Sequence, residues 1–231
     1  MNILITGASK GIGYEIVKHY AKNGNNNIVA IARDVKSLQE LKADSKNKIH
    51  IYSIDFLSDT FQDQFKELIK SHSCHFDVVI NNAGYLINKQ FSTVTNTEIQ
   101  EVYQVNVYAP IYIMQKIITN LDSNKGCHII NIGSMGGVQG SSKFSGLSIY
   151  SSSKAALANL TECLAEEYAE KNITINCLAL GSVQTEMLNQ AFPGYKAEVS
   201  AKDMADYIVD FAINGSKYYN GKIISVSKAT P

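Results

Sequence analysis

Short, nearly unbroken apolar runs alternate along the chain with longer stretches whose apolar residues recur every three or four positions. The short runs cover residues 3–5, 28–32, 49–54, 78–81, 127–132, 173–180 and 223–226, and their length and β-branched content predict strands. The longer stretches cover 11–23, 35–41, 61–71, 98–121, 150–171 and 201–213. In the first of them Ile12, Ile16, Val17 and Tyr20 fall on one helical face. Strands buried on both sides read as continuous apolar runs, and strand–helix alternation from end to end predicts a parallel sheet covered on both faces. The expected fold class is α/β: a Rossmann-type, doubly wound, mostly parallel sheet of about seven strands in a single domain, residues 1–231. Loops 135–149 and 186–199 are expected to border a substrate.

Composition agrees with a globular domain. The chain has 231 residues, 45% hydrophobic and 18% charged, and only three prolines, with no linker-like segment and no internal repeat. Twenty-one basic residues balance twenty-one acidic ones, which gives no electrostatic case for nucleic acid or an anionic membrane as partner. No apolar run approaches the roughly 18 residues needed to span a bilayer. The N-terminal MNILITGASKG lacks the basic then apolar pattern of a secretory leader. Cys74, Cys127, Cys163 and Cys177 show no metal-ligand spacing and are expected to be reduced thiols. A cytoplasmic location is the expectation.

In a doubly wound sheet, ligands bind beyond the carboxyl ends of strands where strand order reverses. The loop after strand one, Thr6-Gly7-Ala8-Ser9-Lys10-Gly11-Ile12-Gly13, is glycine-rich and opens a helix, as a pyrophosphate site requires. Its spacing is Gly-x3-Gly-x-Gly, and alone it reads equally well as a turn that binds nothing. Twenty residues beyond Gly13 stands Arg33, where a guanidinium would suit the 2′-phosphate of NADP(H). Lys10 adds a charge on the same side, so NADP(H) is favoured; the neighbouring Asp34, shifted by one position, would instead favour NAD(H).

Tyr150 and Lys154 stand four apart at a helix start and share a face. A cation about 4 Å from a phenol is worth roughly 4 kcal/mol at an effective dielectric of 20, or about three pKa units, so Lys154 is expected to acidify Tyr150. Such pairs also occur on many helices without function. Ser134, expected just after strand five, offers a hydroxyl to a substrate oxygen, or is simply a serine in a glycine turn.

Taken together and in order, the glycine loop, Asn81-Asn-Ala-Gly84, Asn106, Ser134 and Tyr150-Ser-Ser-Ser-Lys154 resemble the short-chain dehydrogenase/reductase family over nearly the whole chain. The resemblance implies that Tyr150 is the general acid/base, that Lys154 also bonds the nicotinamide ribose, and that Ser134 orients the substrate oxygen. It implies that Asn106 supports a water-linked proton relay through a distorted helix. It further implies that Gly7, Ser9, Lys10, Gly11, Ile12, Gly13, Arg33, Asp55, Asn82 and Gly84 line the coenzyme. Val183 and Thr185, in Gly181-Ser-Val-Gln-Thr185, would meet its carboxamide and phosphate. No metal is implied.

Departures from the family pattern carry their own expectations. Leu180 stands where a proline is usual, and Ser134 and Tyr150 are 16 positions apart, which enlarges the loop over residues 140–147. The segment 186–199, where the family places its mobile lid, is short, and it and this loop contain few charges (Lys143, Glu186, Lys196, Glu198), so the expected substrate is a small, neutral carbonyl or alcohol. The two long helices would serve a homodimer, and a tail without the usual glycines puts a homotetramer in question. The rival reading, a nucleotide-binding regulatory protein, has no use for a general acid. A sugar-nucleotide epimerase would need a longer chain.

Overall fold

The computed structural model describes residues 1–22, 25–43, 45, 48–72, 75–122 and 124–228. Seven strands form one parallel sheet: β1 (Asn2–Thr6), β2 (Asn27–Ala32), β3 (Lys48–Ser53), β4 (Val78–Asn81), β5 (Cys127–Ser134), β6 (Ile173–Leu180) and, last in the chain, β9 (Ile223–Val226). Their order is β3-β2-β1-β4-β5-β6-β9, so the winding direction reverses between β1 and β4. Val183–Gln184 and Val199–Ser200 pair as a small separate ribbon, β7 and β8.

Strand alternation assigns side chains to two cores. On one face Ile3, Ile5, Ile28, Ala30, Ile130 and Ile132 pack against α1 (Gly11–Lys22) and α8 (Ala201–Asn214). On the other, Leu4, Val29, Ile31, Val79 and Ile129 pack against α3 (Phe61–Ser71), α5 (Ala109–Thr119) and the far end of α6 (Ser148–Glu167). α2 (Lys36–Ala43) contributes Leu38 to the first core. Period-two burial on both faces is why these runs look uniformly apolar.

The structure corrects three sequence expectations. The helix expected over 98–121 is two helices, α4 (Asn96–Tyr103) and α5, joined by a π-helical turn at Gln104–Tyr108. β5 runs two residues further than expected, so Ser134 is its last residue rather than a loop residue. A lid helix, α7 (Glu186–Ala191), was not foreseen; Thr185 caps it by accepting the Leu188 N–H at 3.3 Å. Cys127 and Cys177 are buried and Cys163 is exposed, all as free thiols, while Cys74 and the tail residues 229–231 lie outside the described residues. Among the described residues no helix is long and apolar enough to cross a membrane.

Candidate active site

The crevice opens where β1 and β4 diverge. The Thr6 hydroxyl accepts the amides of Asn82 (3.1 Å) and Ala83 (3.0 Å), and the Asn82 side chain donates to the carbonyls of Thr6 (2.9 Å) and Gly7 (3.1 Å). Asn82 therefore braces the glycine loop from beneath. Gly7 has φ +65°, and a Cβ there would lie 2.7 Å from the Ala83 backbone; a Cβ on Gly13 would lie 2.2 Å from the Gly7 carbonyl oxygen. Only glycine permits this closeness. Above the loop lies a cleft of about 350 Å³ bordered by Ser9, Lys10, Gly11, Ser37, Thr185 and Glu186. The unpaired amides at the start of α1, which Gly11, Ile12 and Gly13 supply, open toward it. A tight glycine loop that leads into a helix start beside an open cleft fits the pyrophosphate of a dinucleotide.

At the second strand end, Arg33 is exposed, and its carbonyl accepts the Ser53 hydroxyl at 2.9 Å. The Asp34 carboxylate instead accepts the Lys36 amide at 3.0 Å, at the start of α2. Asp55 folds back on its own turn, accepting the Leu57 amide at 3.0 Å. Val183 is buried in the β7 pairing, and Thr185 caps the lid. A Cβ on Gly84 would sit 3.7 Å from Asn106 Oδ1, Lys154 Nζ and Met187 Cε, which puts this glycine beside the candidate chemical groups.

Those groups converge. Tyr150 lies in the first turn of α6, where the Ser134 hydroxyl at the tip of β5 is near enough to lower its pKa. Lys154 is buried and donates to the Ile132 carbonyl at 2.7 Å, with its ammonium 5.9 Å from the Tyr150 ring centroid. Asn106, buried in the π turn, accepts the Tyr85 amide (2.8 Å) and donates to the Tyr85 carbonyl and the Ser153 hydroxyl (2.9 Å each).

The expected acidification of Tyr150 by Lys154 is not found. Burial raises the Tyr150 pKa, and the Ser134 hydrogen bond is what opposes that rise. Burial also lowers Lys154, to about 8, with the Cys177 thiol beneath working the other way. The ammonium, 5.9 Å from the Tyr150 ring centroid, gives its hydrogen bond to the Ile132 backbone carbonyl.

Sequence reasoning missed Tyr85 and Ser153, which hold Asn106, and the buried ladder in which Asn81 donates to Asn131 (2.8 Å) and Asn131 to Thr161 (2.9 Å). The signal for the ladder was present: asparagine is unusual inside two adjacent apolar strands, and a buried amide must find a partner. Among the described residues no cluster of His, Cys, Asp and Glu could hold a metal ion.

A glycine-rich turn at a topological switch point, beside a Ser–Tyr–Lys constellation whose lysine is buried, defines a dinucleotide-dependent redox protein. The short chain dehydrogenase profile matches residues 1–196, and the chain belongs to that family, whose members are NAD(P)-dependent oxidoreductases acting on CH–OH and C=O groups. It is 33% identical over 188 residues to an L-xylulose reductase of Caenorhabditis elegans, covering 80% of this chain and 72% of that one. A 4-hydroxyisoleucine dehydrogenase complexed with NADH has the same fold, with a TM-score of 0.87 at 20% identity over 98% of this chain and 96% of that one. The L-sorbose reductase of Gluconobacter frateurii, complexed with NADPH and L-sorbose, gives 0.84 at 25% identity over 98% and 94%.

Proposed function

We propose that this chain is an NADPH-preferring carbonyl reductase, running in reverse as an alcohol dehydrogenase, with Tyr150 as general acid/base. The observation that carries the reading is the convergence of Ser134, Tyr150 and Lys154 beside a tightly packed glycine loop that opens a helix. When bound, the coenzyme supplies a hydride to the carbonyl carbon. Ser134 orients the carbonyl oxygen, and Tyr150 gives it the phenolic proton. Lys154, held by the Ile132 carbonyl, keeps a cation near the phenolate that remains and returns a proton along the Asn106 side of the site. Such proton transfer is worth about 10²–10⁴-fold in rate.

Two further details belong to the reading. The Asp34 carboxylate is engaged at the start of α2, which leaves Arg33 as the side chain for a ribose 2′-phosphate and supports NADP(H) over NAD(H). Gly7, Ser9, Lys10, Gly11, Ile12 and Gly13 would cradle the phosphates, and Asp55, Asn82, Gly84, Val183 and Thr185 the remainder. The substrate is small and neutral. Of the charges near the mouth, Lys143 is folded back on the Val138 carbonyl (2.6 Å), Glu198 lies 3.6 Å from Lys228, and Glu186 lies over Gly11 on the coenzyme side. A homodimer built on α4–α5 and α6, in the cytoplasm, completes the proposal.

Tyr150→Phe tests it. Reduction of a working ketone should fall by about 10²-fold or more while NADPH still quenches or shifts fluorescence as in wild type. Turnover close to wild type would remove Tyr150 from the chemistry.

A further inference from the structure

Three segments far apart in sequence meet at one side-chain amide. Asn88, in the loop after β4, donates through Nδ2 to the Ala191 carbonyl at 2.7 Å. Ala191 is the last residue of the lid helix α7, so its carbonyl has no partner within the helix. On its other side Asn88 Oδ1 lies against Gly146 of the enlarged loop, where a Cβ would come within 1.9 Å of it. Gly146 has φ +85°, and its carbonyl accepts the neighbouring Lys89 amide at 3.0 Å. One residue beyond Ala191, the Phe192 ring meets Phe144 edge-on at 6.4 Å. The base of this arrangement is itself secured: Lys89 pairs with Glu98 at 2.9 Å, and Glu98 closes the capping box of α4.

We infer that Asn88 is a positioning residue that fastens the lid to the loop over residues 140–147 and thereby sets the affinity for the carbonyl substrate. This rests on the reading that the carbonyl lies between those segments, above Ser134 and Tyr150. The lid is then held at both ends. Its first turn, at Thr185 and Glu186, stands over Gly11, and its last carbonyl is tied to Asn88. A substrate entering such a site meets a roof already in position, so Asn88 contributes to binding rather than to the chemical step. Asn88 is exposed and outside the core, so its loss does not threaten the fold.

The test compares Asn88→Ala and Asn88→Asp with wild type at saturating NADPH, with diacetyl and acetophenone as probes. Both variants lose the donor to Ala191. KM should rise about tenfold with kcat within about twofold. Tryptic cleavage after Lys196, in the segment following the lid, should quicken by a similar factor while Tm stays at the wild-type value. Phe192→Leu should raise KM in the same direction. Unchanged KM together with unchanged cleavage would overturn the assignment. So would a fall in kcat at constant KM, or a lowered Tm without faster cleavage at Lys196. If neither probe turns over, the cleavage rate alone decides. Because cleavage needs no catalysis, a failure of the Tyr150 assignment stays distinguishable from a failure of this one.

Discussion

At Tyr150, what surrounds the phenol matters more than which cation follows it four residues later. The four-residue spacing is visible in sequence and correctly puts Tyr150 and Lys154 on one face of α6. What it does not show is where an ammonium on a flexible stem comes to rest. Here the Ile132 carbonyl takes the ammonium's hydrogen bond, and burial raises the phenol's pKa. Arg33 and Asp34 make the same point in reverse. One position apart, they point to different coenzymes: Arg33 is exposed, while the Asp34 carboxylate accepts the Lys36 amide, and the proposal above takes Arg33 as the phosphate ligand. Arg33→Asp should therefore shift the ratio of kcat/KM values for NADPH and NADH toward NADH by about tenfold or more, since a charge-assisted phosphate contact is replaced by repulsion. An unchanged ratio in initial-rate assays would count against a 2′-phosphate at Arg33.

Among the elements, the strands were the easiest to read, because burial on both faces writes itself as an apolar run. Periodicity did not show the break between α4 and α5, since a π turn keeps helical spacing on either side, whereas the family resemblance did imply a distorted helix at Asn106, where the π turn lies. Its structural reason is Asn106. The widened turn aims this amide inward, where it clamps the main chain of Tyr85 at both its N–H and its C=O. Asn106→Ala leaves the part-buried N–H and C=O of Tyr85 without their partner, while the Ser153 hydroxyl keeps its bond to the Tyr150 carbonyl. It should lower stability by about 2 kcal/mol or more in urea unfolding, well above the few tenths expected of a surface substitution. The lid helix α7 escaped notice for another reason: six residues are too few to display a period, and the Thr185 cap becomes meaningful only once a helix is known to follow.

For the whole molecule, acid should act in two stages. His128 is buried between β5 and α8; its Nδ1 lies 3.1 Å from the Ala212 carbonyl and its Nε2 3.2 Å from Asn176 Nδ2. With Nδ1 donating and Nε2 accepting, the ring is neutral, and burial lowers its pKa, only partly offset by the Ala212 bond. At the sheet edge, burial lowers His50 and His72 as well, with Lys42 and Lys48 adding to the effect on His50 and His50 adding to that on His72. A histidine whose folded pKa lies below about 6.5 is protonated first in the unfolded chain, so its stabilisation is complete above that pH and is lost as pH falls through it. Glu98 works lower down. Thr95 and Lys89 hold its carboxyl at about 2, so its contribution is full above the ordinary glutamate value and disappears as pH falls toward 2. Urea midpoints measured from pH 8 downward should begin to fall near 6.5 and fall again below 4.5. A flat profile between 8 and 5 would mean that the histidines are protonated as readily folded as unfolded.

The Thr6 hydroxyl bears on all three levels. By accepting two amides from the far side of the crevice, it settles the shape of the phosphate cradle while the chain folds, before any nucleotide arrives. A loop braced in this way leaves little to be ordered when a ligand arrives, so recognition there amounts to docking on an anvil. Both Thr6 bonds lie away from the segments around Gly146 and Ala191, so a change in either segment leaves the cradle's shape in place.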